Sequence, residues 1–139
     1  MIGILDYGVG NVQAFKNVYT DLGIPCKAIL NKADFDDVSH IILPGVGSFD
    51  YAMNLLNESG LRERLDHFVL NKGTPVLGVC IGMQMMGKSS EEGVQPGLGW
   101  LDATSKKITF NVVDDSGALP LPHMGWNEVK IINDNGLFF

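Results

Sequence analysis

Apolar runs alternating with helix-patterned stretches predict an α/β fold, an open and mostly parallel sheet with helices on both faces. Three observations carry this reading. Short apolar runs at Ile2 to Leu5, Cys26 to Leu30, His40 to Pro44 and Pro75 to Val79 have the length and composition of buried strands. The segments between them place apolar residues at helical spacing. The last run enters Gly78-Val-Cys-Ile-Gly82, which reads as a strand, a sharp corner and a helix with a thiol on the corner.

Ile2 to Leu5 is the first strand and ends in Asp6-Tyr-Gly-Val-Gly10. Asn11 then caps a helix whose apolar residues Val12, Phe15, Val18, Tyr19 and Leu22 share one face, and Gly23 ends it. A strand, Gly-x-Gly and a helix invite a dinucleotide reading. The third glycine position is Gln13, however, and no acidic residue follows the second strand in the right context, so a plain tight turn is the better reading. The second strand, Cys26 to Leu30, leads into an acidic connection, Ala33 to Ser39, with the look of a short helix, and Cys26 reads as structural. The third strand runs into Pro44-Gly-Val-Gly-Ser-Phe49. Bare backbone in such a loop can turn its N–H groups toward a ligand, as an oxyanion loop requires, although a simple strand-to-helix turn has the same composition. Asp50 to Leu56 and Leu61 to Leu70 form helices separated by Ser59-Gly60, with Leu61, Leu65 and Phe68 at core spacing and His67 on a solvated face.

At the corner, Gly78 and Gly82 flank Cys80 where side chains would collide in so tight a turn. The corner lifts the thiol clear of the sheet, unpaired N–H groups at the start of the next helix favour an anionic nucleophile, and the amide of Ile81 can face an oxyanion. The alternative is a buried structural cysteine at a strand end. Met83, Met85 and Met86 read as core filler. The polar, glycine-rich segment Ser89 to Trp100 is long enough to fold back over the corner. Ala103 to Phe110 and Glu128 to Ile132 alternate like strands of a more exposed sheet. Between them Leu119-Pro-Leu-Pro-His-Met-Gly-Trp-Asn127 sets a histidine, an aromatic residue and an amide on a proline-stiffened loop, suited to an interface or to packing. Asp6-Tyr7, Pro44 to Phe49 and Cys80 all fall at carboxyl ends of strands, where ligands bind in this architecture.

A length of 139 residues predicts one domain, 1–139, and 45% apolar residues suffice for its core. The longest apolar runs, of about five residues, fall far short of the roughly twenty needed to cross a bilayer. With no basic n-region at Met1 to Asp6, the expected location is the cytoplasm. Two cysteines, Cys26 and Cys80, make neither a disulfide framework nor a zinc site, and no metal or other cofactor is expected. A net charge of −6, with ten scattered Lys and Arg, argues against nucleic acid as a general partner.

Pro44-Gly-Val-Gly47, Gly78-Val-Cys-Ile-Gly-Met-Gln84, Ser89-Ser-Glu-Glu-Gly93, Gly97-Leu-Gly99 and Pro122-His-Met-Gly-Trp-Asn127 together resemble the class I glutamine amidotransferases, specifically the glutaminase subunit of imidazole glycerol phosphate synthase. The resemblance runs in order along the whole chain and implies a flavodoxin-like fold. It implies that Cys80 attacks the side-chain amide of glutamine, that Val46, Gly47 and Ile81 supply the oxyanion donors, and that Gln84 and Glu92 contact the substrate. His123, Trp126 and Asn127 would lie at the junction with a cyclase partner, through whose interior ammonia would pass in histidine biosynthesis. In the family a histidine and a glutamate near the C-terminus complete the triad, in a segment that follows the region where this chain stops. Neither His40 nor His67 has a matching context, so the sequence is expected to be incomplete at its C-terminal end and inactive alone.

Three rivals stay open. Lys88-Ser-Ser-Glu-Glu and Pro96-Gly-Leu-Gly-Trp100 also resemble paralogues that feed ammonia to a surface-sugar amidating enzyme. A dienelactone-hydrolase-like enzyme shares the Gly-x-Cys-x-Gly corner, although the Pro-Gly-Val-Gly loop and Gln84 favour the amidotransferase. A non-catalytic binding subunit would keep the partner loop and the glutamine pocket without a base.

Overall fold

The structure, a computed structural model, describes residues 1–109, 125–128 and 130–132. The chain divides into two compact units, Met1–Lys107 and Ile108–Phe139. In the first, four strands form one sheet: β1 (Ile2–Leu5), β2 (Cys26–Ile29), β3 (His40–Gly45) and β4 (Val76–Cys80). They lie in the order β2-β1-β3-β4, and every pairing is parallel. Parallel neighbours need long crossovers. These are supplied by α1 (Val12–Asp21) between β1 and β2, a short 3-10 turn (Lys32–Phe35) between β2 and β3, and α2 (Phe49–Glu58) with α3 (Arg62–Asp66) between β3 and β4. The last of these continues into a wider helical turn, His67–Asn71, and α4 (Ile81–Met85) follows β4 directly. The predicted α/β architecture is the one observed.

Alternation along the strands sorts the sheet into two faces. Leu5, Ile29, Ile41 and Leu43 belong to the main core with Phe49, Met53 and Leu56 of α2, Leu65 of α3, Phe68, and Met85 of α4. The expected Leu61, Leu65, Phe68 stripe is buried there, and His67 is exposed as predicted. On the opposite face, Ile4 pairs with Ile42 in the ladder and both are buried. The helix on this side is α1. Its predicted apolar stripe exists, but no residue of α1 is buried, and Val18 and Leu22 are 57% and 64% exposed. They line an open apolar groove with Phe15, Tyr19, Pro44 and Val79.

The local signals explain the helix starts. Asn11 accepts a hydrogen bond from the Ala14 N–H at 3.0 Å and so caps α1. At Gly10 (φ +91°) an added Cβ would stand 2.8 Å from Cβ of Pro44. That glycine therefore serves close packing of the first turn against β3, which supports the tight-turn reading over a nucleotide loop.

Two expectations are corrected. Of the strand expected over Ala103 to Phe110, the described residues, 103–109, form only β6 (Thr104–Ser105), paired in parallel with β5 (Ser89–Ser90), and Phe110 lies outside the described residues. Glu128, Lys130, Ile131 and Ile132 are not in a strand. Alternating polarity sets only the side-chain period, whereas a strand also needs a neighbour for its backbone groups. Beyond Ser105 the described residues find no such ladder. In the second unit, Gly125 to Glu128 are exposed and the Asn127 side-chain amide donates to the Gly125 carbonyl at 3.4 Å.

Candidate active site

Cys80 ends β4, and α4 begins on the next residue. Its backbone has φ 57° and ψ −120°, and it is the single non-glycine residue with positive φ among those described. A side chain in that region strains the chain by about 1–3 kcal/mol and is kept only where its surroundings force it. Here they do. At Gly78 a Cβ would lie 2.6 Å from Cα of Met83 and equally close to the Met86 sulfur. At Gly82 it would overlap the Leu43 carbonyl oxygen, and at Gly45 it would overlap the backbone of Gly82. The two elbow glycines are thus demanded by α4 and β3 respectively, rather than by each other as the sequence suggested. The thiol itself is exposed.

Register places the glycine loop beside it. In the β3–β4 ladder Gly45 is opposite Cys80, so Val46 and Gly47 continue from the residue next to the thiol. Gly47 has φ +84°, and Val46 and Gly47 are exposed. As the first residue of α4, Ile81 carries an N–H with no partner within the helix. Cys80 is therefore flanked by Ile81 along the chain and by the Val46–Gly47 segment across the ladder. The Tyr7 hydroxyl fixes the base of this arrangement. It donates to the Pro44 carbonyl at 2.6 Å, lies 3.4 Å from the Met85 sulfur, and is buried. Burial pushes its phenol well above the ordinary tyrosine range, so it stays a neutral donor.

Gln84 lies on α4, four residues past the thiol, and its Oε1 accepts from Ser90 Oγ at 3.4 Å. The same hydroxyl accepts the Glu92 N–H at 3.2 Å, so both predicted substrate contacts are joined through Ser90. Glu92 is exposed. The rest of this segment departs from expectation. Instead of folding over the elbow, the N–H groups of Leu98, Gly99 and Leu101 donate to the carbonyls of Met85, Gly87 and Met86 at 2.7–3.0 Å. The Met85 and Met86 carbonyls end α4 without a partner within it and Gly87 follows directly, so the loop is drawn to the far end of α4, and Cys80 is exposed. Trp100 locks it there through Nε1, which donates to Asp66 at 2.7 Å.

The apolar groove that reaches Cys80 has a volume of about 570 Å³ and includes neither Gln84 nor Glu92 among its walls. Its lining suits hydrocarbon rather than the charged ends of an amino acid.

Comparison with known proteins agrees with this geometry. Residues 10–116 match the CobB/CobQ-like glutamine amidotransferase domain. The chain belongs to the glutamine amidotransferase family. It is 50% identical over 137 residues to the imidazole glycerol phosphate synthase subunit HisH of Leptospira interrogans, covering 99% of this chain and 66% of that protein. The same subunit of Bdellovibrio bacteriovorus is 49% identical, with 99% and 67% covered. A solved glutamine amidotransferase superposes with a TM-score of 0.62 at 25% identity, covering 80% of this chain and 58% of the other. The chain thus spans about two thirds of the length of the curated relatives it matches.

Within this amidotransferase chain, neither described histidine is near the thiol. His40 starts β3, at the opposite end of the ladder from the Gly45–Cys80 pair, and its Nδ1 contacts Ser39 Oγ at 3.1 Å. His67 borders a surface hollow with Lys32, Glu63 and Arg64. His123 lies outside the described residues, while Trp126 and Asn127 are described and exposed. Sequence reasoning did not foresee the hydrogen bonds of Tyr7, Ser90 and Asp50 around this candidate site. Tyr7 sits in a turn already suspected of facing it and Ser90 in a motif already singled out, but Asp50 carries no local signal.

Proposed function

We propose that the complete protein hydrolyses glutamine through a thioester on Cys80 and delivers the ammonia to a cyclase subunit that makes imidazole glycerol phosphate in histidine biosynthesis. The observation that carries this reading is the strained backbone of Cys80, held opposite Gly45 and directly before Ile81. A structural cysteine needs no such conformation, whereas a nucleophile that must stand clear of its sheet does. The sulfur attacks the side-chain carbonyl carbon of glutamine, and the oxyanion faces the N–H groups of Ile81 and the Val46–Gly47 segment. The amide nitrogen leaves as ammonia once it gains a proton, and water then cleaves the thioester to glutamate and the free thiol. Gln84 and Glu92 hold the substrate. No metal or cofactor enters these steps.

The proton carrier is the histidine that the resemblance implies, oriented by a glutamate. We assign both to the third of the relatives' length that this chain does not span, so residues 1–139 form an incomplete amidotransferase domain. That these relatives are imidazole glycerol phosphate synthase subunits supports the histidine-pathway acceptor over a sugar-amidating one. His123, Trp126 and Asn127 would meet the partner. A cytoplasmic setting accords with these biosynthetic relatives, and no helix among the described residues is long and apolar enough to cross a membrane.

One observation favours a second reading, a non-catalytic binding subunit: among the described residues no histidine adjoins Cys80. Sequencing the gene beyond residue 139 separates the two. A continuation with a Gln-Phe-His-Pro-Glu-like segment supports the enzyme, and a stop codon there supports the binding subunit.

A further inference from the structure

The loop that carries Glu92 is held by a carboxylate from a different element. Asp50 is the second residue of α2, which begins directly after the glycine loop of β3. Its Oδ1 accepts hydrogen bonds from the N–H groups of Val94 at 3.0 Å and Gln95 at 2.9 Å, and its Oδ2 accepts from Val94 at 3.0 Å. Charge-assisted bonds of this kind are about twice as strong as neutral ones. At Gly93 an added Cβ would overlap Asp50 Oδ1, so a side chain there would have to push the carboxylate aside.

Little else secures this stretch. None of residues 91–96 is buried, and Val94 is 92% exposed, so apolar packing does not hold the turn. The Glu92 and Gly93 N–H groups bond locally to Ser90, and the other long-range ties are at Glu91, whose N–H donates to the Ser105 carbonyl and whose carboxylate accepts the Lys107 N–H, both at 2.9 Å. Asp50 therefore ties two parts of the site together. Its backbone is continuous with the Val46–Gly47 segment, and its side chain fixes the turn bearing Glu92.

We propose that Asp50 is a positioning residue for glutamine, fixing the turn that bears Glu92 through the Val94 and Gln95 amides. The proposal rests on the glutaminase reading above. A residue that presents a substrate contact acts on binding, while the thiol, its oxyanion donors and its proton carrier are left in place.

The test uses the chain continued to the full length of its relatives, in complex with its cyclase subunit. Asp50→Ala is expected to raise KM for glutamine roughly tenfold or more while kcat changes by less than about threefold. Asp50→Asn, which keeps one acceptor oxygen without the charge, should fall between. Gly93→Ala approaches the same contact from the loop side and should raise KM comparably, so the proposal does not depend on one variant folding. Hydrogen exchange at Val94 and Gln95 should quicken in Asp50→Ala, and alkylation of Cys80 by iodoacetamide should keep its wild-type rate. An active wild type with unchanged KM in Asp50→Ala and Gly93→Ala overturns this proposal alone, as does a fall confined to kcat. A wild-type complex that hydrolyses no glutamine overturns the glutaminase reading and this proposal with it.

Discussion

Cys80 and Cys26 are chemically the same side chain in opposite settings. Cys26 is half-buried in a strand with its sulfur 3.9 Å from the Lys16 carbonyl, whereas Cys80 is exposed on a strained corner. A chloroketone analogue of glutamine should label Cys80 first, read by mass spectrometry of peptides, and preferential labelling of Cys26 would sink the assignment. Gly47 offers a second test. Its φ of +84° strains any side chain, although a Cβ there would meet nothing closer than the Tyr51 ring at 3.9 Å. Gly47→Ala should therefore disturb the loop's N–H direction rather than crowd the site. We expect a loss of roughly a hundredfold or more in kcat in the completed enzyme with nearly normal KM. A variant with normal kcat and raised KM would make the loop a pocket wall.

The elbow depends on how β3, β4 and α4 meet. Gly82→Ala would drive a methyl into the Leu43 carbonyl, which is backbone and cannot yield, so this substitution should destabilise the fold far more than Gly60→Ala, where nothing lies within 4 Å and the φ of +72° alone strains a side chain. Comparing the two by urea unfolding checks this, and equal losses would show that the tight contact is not needed. Tyr7 joins β1 to the same corner. Tyr7→Phe should lose about 1 kcal/mol, one buried hydrogen bond. The pH dependence has a definite sign: the fold holds the phenol neutral, so its contribution is complete below the ordinary value of 10.0 and declines as pH rises past it. Alkaline unfolding of Tyr7→Phe should be correspondingly less steep. These elements also show what sequence can and cannot disclose. The strands, the Asn11 cap and the elbow were legible because period, capping chemistry and glycine placement are local. The Asp50 clamp was not, because it joins residues 44 and 45 positions apart through main-chain amides that any sequence possesses. Among the described residues, the strands expected at 103–110 and 128–132 fell short for a related reason, since a ladder partner cannot be read from alternation alone.

At the scale of the whole molecule, a glutaminase gains by discharging ammonia into a closed path, because ammonia released into neutral water is protonated and lost as a nucleophile. Trp126 is of the residue type that anchors interfaces and is fully exposed here. Trp126→Ala in the full-length chain should weaken association with the cyclase subunit by at least tenfold, and unchanged affinity in titration calorimetry would remove it from the interface. The most direct measurement is glutamate production by the full-length chain, alone and with its cyclase subunit and acceptor, in wild type and Cys80→Ala. Low activity alone, a large increase with the loaded partner, and none from Cys80→Ala despite intact association is the predicted result. Full activity in isolation, or hydrolysis that survives loss of the Cys80 thiol, would contradict a partner-coupled thioester glutaminase.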